Sequence, residues 1–388
     1  MIYNRPFLLP SKIIYALVVY VFLIGMPVNI YRIGGGDIGY YQHILILTAL
    51  FAALSNIPNM RILSRKEFGF IVFYIFFIVY SLSLGLMNHE LYLVIDSLKY
   101  YLLGFFVVLA LIGQPLNLEL LHSKRLWTSI LFIHFLCVIY FYSFMYGKYY
   151  PGIGVQSIAY ASIYYFIYGY KIMFLFSIIL MVFEAKRSIL LSSLVVIALL
   201  IFIRRSVKKS KLPLFKLMIA FWASLFILIF VLYLISMLPE SSLVNRINLI
   251  NPFSDSFDVM LGSSGRAGEL VSFFGSIDDV YSLVSGSGFG FQYQWDLGFN
   301  NAQSGEIKPY FHMSIFNYIA TAGVVGLFLW FLFFRNSILL LKSKIDRSTL
   351  LVFSFVLFSL IQSFFGFVSA IDPFFWLMMF FALKYKSA

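Results

Sequence analysis

A guanidinium offers a planar fork that grips a phosphate through two parallel hydrogen bonds, and the grip tightens where water is excluded. Two arginines of this chain stand in settings suited to that chemistry. Arg187 belongs to Glu184-Ala185-Lys186-Arg187-Ser188, a polar turn between two apolar stretches. Lys186 and Arg187 read either as an anion grip or as a snorkelling pair neutralised by Glu184 or lipid headgroups. Arg266 belongs to Gly265-Arg266-Ala267-Gly268-Glu269, at the start of an amphipathic pattern. Three residues apart, Arg266 and Glu269 share a face of a helix. They read either as a phosphate clamp with a base beside it, or as a surface ion pair of small energetic weight.

Further polar residues lie near the same stretch. Gly286-Ser287-Gly288-Phe289-Gly290 lacks the preceding strand and the βαβ setting of a dinucleotide fingerprint. It reads as a turn, either one that lets backbone approach a ligand or a plain flexible one. His312 sits where a polar loop re-enters an apolar run, in Phe311-His312-Met313-Ser314-Ile315-Phe316-Asn317. Asp96 and Lys99 lie one turn apart near the end of an apolar run, as a functional pair or a mutual ion pair. Tyr293 and Trp295 could stack on sugar faces or anchor at the interface. No convergent His/carboxylate spacing suggests a metal, and the lone Cys137 excludes a disulfide framework. No cofactor is implied.

The elements that must position these residues are membrane helices. Of 388 residues 62% are hydrophobic and only 11% charged, and the mean hydropathy is +0.93. A soluble core cannot absorb that much apolar chain. The expected fold is all-α: a polytopic bundle of about twelve transmembrane helices, near 13–31, 41–58, 68–86, 93–113, 126–146, 156–170, 172–184, 188–203, 214–236, 311–334, 349–366 and 370–384. The stretch 156–184 is divided because Lys171 is best placed at a turn. The domains are then 1–236, carrying the first nine helices, an outer loop at 237–310, and 311–388 with the last three.

Charge orients this arrangement. Arg32, Lys148, Lys186, Arg187, Arg246, Arg266 and Lys308 fall on one side, Lys99 within a span, and the rest of the 28 cations on the other side. The positive-inside bias puts both termini in the cytoplasm and 237–310 outside. The net charge of +12 is thus a topology signal, and the basic soluble face that nucleic-acid binding needs is absent. The outer loop carries eight acids against three bases, with an amphipathic helix expected over 264–283 from the spacing of Leu270, Phe273, Phe274, Ile277, Val280 and Tyr281. Lys186, Arg187 and Arg266 oppose the bias that sets topology, which points to an anionic substrate on the outer face.

The order of these features resembles the O-antigen polymerase and O-antigen ligase superfamily, membrane glycosyltransferases of the GT-C type that act on lipid-linked oligosaccharides. The resemblance rests on Lys186-Arg187-Ser188, Gly265-Arg266, Gly286-Ser287-Gly288-Phe289-Gly290 and His312, with Gly323-Val324-Val325-Gly326-Leu327 following. It covers roughly 154–330, and departs from the family at Leu270 and Met313, where an aromatic and an Asn are common. It implies a GT-C-like fold and a metal-independent polymerase in the bacterial inner membrane, with its active site on the periplasmic face. Donor and acceptor are both undecaprenyl-diphosphate-linked glycans, and a chain-length regulator is a possible partner. Arg187 and Arg266 would clamp the diphosphate, with His312 as a further contact or proton carrier. Glu269, or Asp96, would take the acceptor proton. Lys186, Lys99, the three glycines, Tyr293 and Trp295 would line the substrate. Ligation onto lipid A core and a lipid-linked-oligosaccharide flippase are the rival readings.

Overall fold

Residues 64–88 show how this sequence makes a span. The Ser64 hydroxyl accepts from the Glu67 N–H, and the Glu67 carboxylate accepts from the Ser64 N–H at 3.0 Å. This reciprocal cap satisfies donors that a helix start otherwise leaves unpaired. Beyond it, Phe70, Tyr74, Phe77, Ser81 and Gly85 are buried at three- and four-residue spacing, whereas Phe68, Val72, Ile75, Phe76 and Val79 are exposed. A helix with one packed face and one exposed apolar face suits a bundle surrounded by lipid.

The structure is a computed structural model that describes residues 9–33, 39–62, 64–114, 118–144, 156–183, 187–206, 266–275, 280–295, 306–308, 311, 313–340, 346–364 and 372–384, with a few single positions between 219 and 233. Its helices are α1 (Leu9–Ile33), α2 (Gly39–Ser55), α3 (Arg65–Asn88), α4 (Leu91–Leu111), α5 (Glu119–His122), α6 (Lys124–Phe144), α7 (Gln156–Tyr168), α8 (Lys171–Phe183), α9 (Arg187–Ser206), α10 (Arg266–Gly275), α11 (Val280–Ser285), α12 (Ser314–Leu340), α13 (Arg347–Ser363) and α14 (Pro373–Lys384). The architecture is all-α, with about 89% of the described residues helical. It also has a small antiparallel hairpin that the sequence reading did not anticipate, β1 (Tyr293–Trp295) with β2 (Glu306–Lys308), which pairs Tyr293 with Lys308 and Trp295 with Glu306.

Among the described residues three helices are long and apolar enough to cross a membrane: Arg65–Asn88, Leu91–Leu111 and Ser314–Leu332. The expected division near Lys171 is present, with Gly169 (φ +78°) and Tyr170 between α7 and α8. Each of these helices has 13 residues. At 1.5 Å per residue that is about 20 Å of rise, short of a roughly 30 Å hydrocarbon core. The expected span 214–236 lies almost wholly outside the described residues. The expected helix 264–283 corresponds to α10 and α11, with 276–279 outside the described residues.

The last helix is the axis of the packing. Every residue of α14 from Pro373 to Ala382 is buried, and the helix touches α1, α3, α4, α12 and α13. Phe374 packs edge-on against Phe22 at 4.9 Å and Tyr160 at 4.5 Å, geometries that aromatic quadrupoles favour.

Polar contacts between distant segments gather at the two ends of the bundle. At one end, Asn56 donates to the carbonyls of Leu109 and Ile112, each at 2.7 Å, and accepts from Gln114 at 2.6 Å. Glu67, 3% exposed, accepts from the Gly113 N–H at 3.1 Å and pairs with Lys384 at 2.8 Å. These bonds clasp α2, α3, α4 and α14 together. They also satisfy the carbonyls that α4 frees as it ends.

Candidate functional site

At the opposite end, α12 breaks. Ala322 and Gly323 leave helical geometry, Gly323 with φ +53°. A kink frees carbonyls that the helix ladder would have used, and within a bundle they must find other partners. Here the glycine run supplies them: the Ser287 N–H donates to the Ala320 carbonyl at 2.7 Å, and the Gly288 N–H to that of Thr321 at 3.0 Å. On its other side the Phe289 N–H donates to the Ser81 carbonyl of α3 at 2.9 Å. The run is therefore wedged between α3 and the broken α12. Ser81 lies seven residues before the end of α3, so the wedge reaches roughly 10 Å into the bundle.

That depth requires glycine. A Cβ on Gly288, whose φ is +85°, would stand 2.1 Å from the Gly85 nitrogen. One on Gly323 would stand 2.0 Å from the Val284 carbonyl oxygen. Phe289 enters fully buried, between Phe77 and Tyr101. Tyr101 in turn shares a hydrogen bond with the Thr321 hydroxyl at 2.8 Å and donates to the Asn317 carbonyl at 3.3 Å. Tyr80 holds the approach to the run by donating to the Ser285 carbonyl at 2.9 Å.

His89, just past α3, closes the mouth with its Nε2 3.0 Å from the Ser287 carbonyl. A carbonyl can only accept, so Nε2 carries the proton. Burial pushes the imidazole below its usual range, and the Ser287 bond works against that shift without cancelling it.

A second cluster stands beside the wedge. Phe273 of α10, Tyr293 of β1, Phe311 and Ala320 are buried together, with Phe316 against them. Tyr293 stacks on Phe311 at 4.1 Å, and Phe273 meets Phe311 edge-on at 5.2 Å. Asn317 draws the membrane-entry segment tight: its carboxamide oxygen accepts from the Phe311 N–H at 2.8 Å, and its amide nitrogen donates to the carbonyls of Phe311 and, at 3.2 Å, Met313. Those bonds bracket His312 on both sides.

The structure thus brings the Arg266-Glu269 helix, the hairpin with Tyr293 and Trp295, the glycine run and the flanks of His312 to one end of the bundle. Lys186 and His312 themselves lie outside the described residues; Arg187, Arg266 and Trp295 are described by backbone place alone. Arg187 and Arg266 open the described parts of α9 (Arg187–Ser206) and α10 (Arg266–Gly275). Glu269 is fully buried on a face it shares with Ser272 and Phe273, while Val271 and Phe274 are exposed. Buried and exposed faces are thus rotated from the Leu270-Phe273-Phe274 stripe that the periodicity suggests. Tyr293, read as a sugar-stacking face or an interfacial anchor, is buried and fastens the hairpin to Phe311. Asp96 and Lys99 pair with each other along α4, with the Asp96 side chain 48% exposed.

No family model, curated protein or solved structure matches this chain. The site therefore rests on its own geometry. Ser188, beside Arg187, accepts from the Gln362 amide at 3.3 Å, which ties the start of α9 to the far end of α13. Gly85, Tyr80 and His89, which the sequence reading gave no role, do much of this positioning, together with Asn317 and Gly323, which it quoted only as parts of motifs. Asn317 and Gly323 carry a sequence signal in retrospect, an amide and a glycine inside a long apolar run. Gly85 and Tyr80 carry none, because their partners lie some 200 residues away. Among the described residues no three His, Cys, Asp or Glu side chains come together as a metal site.

Proposed function

We propose that this chain is a metal-independent membrane glycosyltransferase that polymerises undecaprenyl-diphosphate-linked repeat units into a surface polysaccharide, acting at the outer face of the bacterial inner membrane with both termini in the cytoplasm. The observation that carries the reading is the convergence at one bundle end of α10, opened by Arg266, with the glycine run and the two flanks of His312. Described segments next to three motifs, up to 47 residues apart in sequence, come together there. The distant contacts also support the grouping of segments into two ends. Glu67 with Lys384, Asn56 with Gln114, and His122 with Ser348 join segments whose charges place them inside, whereas Ser81 with Phe289, and Ser188 with Gln362, join segments placed at the outer end.

In the proposed reaction the acceptor hydroxyl oxygen attacks the anomeric carbon of the donor. The bond from that carbon to the diphosphate breaks, and its electron pair leaves on the diphosphate oxygen. Arg187 and Arg266 meet the charge that develops there, which favours the transition state over the ground state. Glu269 takes the acceptor proton, and His312 assists at the diphosphate. Deletion in a host that makes a repeat-unit lipopolysaccharide tests the reading. The expected product is core capped by a single repeat unit. Long polymer retained on undecaprenyl diphosphate beside bare core would make the chain a ligase, and repeats trapped in the inner leaflet would make it a flippase.

A further inference from the structure

The end of the bundle away from the glycine run carries a second cluster. Its floor is a stack of tyrosines: Tyr164 and Tyr168 have ring centroids 4.5 Å apart, and Tyr168 and Tyr170 lie 6.4 Å apart with planes inclined by 15°. His122 locks the floor to two other segments. Its Nδ1 bonds the Tyr168 hydroxyl, its Nε2 lies 3.2 Å from the Ser348 hydroxyl, and its carbonyl accepts from Tyr164 at 3.2 Å. Cations stand beside this floor on three stretches of chain: Lys124 lies over the Tyr170 ring at 4.7 Å with Arg125 next to it in sequence, Lys171 follows Tyr170, and Arg347, whose charge acts on the Tyr168 hydroxyl, precedes Ser348.

All four are exposed, and among the described residues none is paired with a carboxylate. The acids nearby are Asp346, whose side chain accepts from the Thr349 N–H at 2.7 Å as a helix cap, and Glu119 at the start of α5. The positive-inside bias accounts for cations on these loops. It does not account for their convergence on one aromatic floor. Leading away from the floor, α6 exposes Phe132, Leu136 and Tyr140, and α8 exposes Ile172, Leu175 and Ile179. Phe135 and Phe176, 5.5 Å apart, hold these two helices together. A charged mouth that opens onto an exposed apolar seam has the layout of a phospholipid.

We propose that this is a binding site for an anionic phospholipid. Lys124, Arg125, Lys171 and Arg347 hold the phosphodiester headgroup above the tyrosine floor, and the acyl chains lie along the α6–α8 seam. The site is separate from the proposed glycosyl transfer and does not depend on it.

The test uses the full chain, delipidated in detergent and titrated with phosphatidylglycerol, phosphatidylcholine or inorganic phosphate, with bound lipid counted by native mass spectrometry and thermal unfolding followed in parallel. Phosphatidylglycerol alone is expected to bind and to raise the unfolding temperature. Each cation near an anionic lipid surface is worth about fivefold in affinity. Lys124→Gln with Arg347→Gln is therefore expected to weaken phosphatidylglycerol binding by about thirtyfold, and Lys171→Gln alone by about fivefold should the double variant fold poorly. Arg65→Gln with Lys66→Gln, exposed cations at the same end, should leave it unchanged. Equal binding of phosphatidylcholine, equal stabilisation by inorganic phosphate, or an equal loss in the Arg65/Lys66 control would each overturn the proposal.

Discussion

Arg187 and Arg266 are the two guanidiniums offered to the diphosphate, and a planar fork of donors serves a diphosphate better than a point charge does. Arg187→Ala and Arg266→Ala are each expected to abolish polymer at unchanged protein level, and Lys at either position is expected to restore only a small part. Polymer of normal length in an Ala variant, judged by lipopolysaccharide gel against an immunoblot for protein, removes that arginine from the site. His89 supplies a pH-dependent counterpart. Its folded value lies below its ordinary one, so it contributes stability that is fully present above about pH 6.5 and is lost as pH falls through the folded value. Protonation leaves the Nε2 bond to Ser287 possible but charges a half-buried ring. Acidification is thus expected to loosen the glycine run, read as labelling of a cysteine introduced at the exposed Tyr281, and His89→Gln should flatten that pH dependence. Labelling insensitive to pH in the parent would show that His89 does not hold the run.

Between α3 and the broken α12, the glycine run acts as a structural wedge whose N–H groups replace the ladder bonds that α12 gives up. Gly288→Val and Gly85→Val are each expected to expel it, since the added carbons have backbone and no flexible side chain to displace. Overpacking of this kind costs about 1–3 kcal/mol and more where the backbone φ is positive. Both variants should lose activity and gain protease cleavage near 285–290; an active, resistant Gly288→Val would refute the wedge. The sequence carried this element only in part. The lone Lys171 marked the α7–α8 turn, and composition marked the apolar helices, three of them among the described residues long enough to cross a membrane, because lipid exposure leaves a plain apolar signature. The run itself looked like any flexible turn. Its partners, Ser81 and Ala320, are main-chain carbonyls, and a carbonyl offers no residue-type clue to its use. The buried place of Glu269 was hidden for a different reason: α10 buries Glu269 and Ser272 beside Phe273 and exposes Val271 and Phe274, the reverse of what an apolar stripe indicates.

Across the whole molecule two clasps oppose each other, the wedge at one end and the Glu67–Lys384 pair at the other. Lys384 lies close to the C-terminus of the described chain, so its pair ties α14, the axis of the packing, to α3 and α4. Removing one partner of a buried pair strands the other charge, at about 3–5 kcal/mol. Lys384→Met or Glu67→Gln alone is expected to lower the unfolding temperature sharply, and the double variant to recover much of the loss. Additive losses would mean that the two residues act separately. The orientation of the bundle governs everything proposed for its ends. Under the proposed orientation Arg187 and Arg266 are cations placed against the topological bias, and the proposed anionic substrate is what would account for them. Reporter fusions after residues 150, 186 and 280 are expected to signal from the periplasm, and fusions after 65, 124, 208 and 343 from the cytoplasm. A cytoplasmic signal after 280 would return both arginines to the side where cations need no substrate to explain them. The same result would put the tyrosine floor in the outer leaflet.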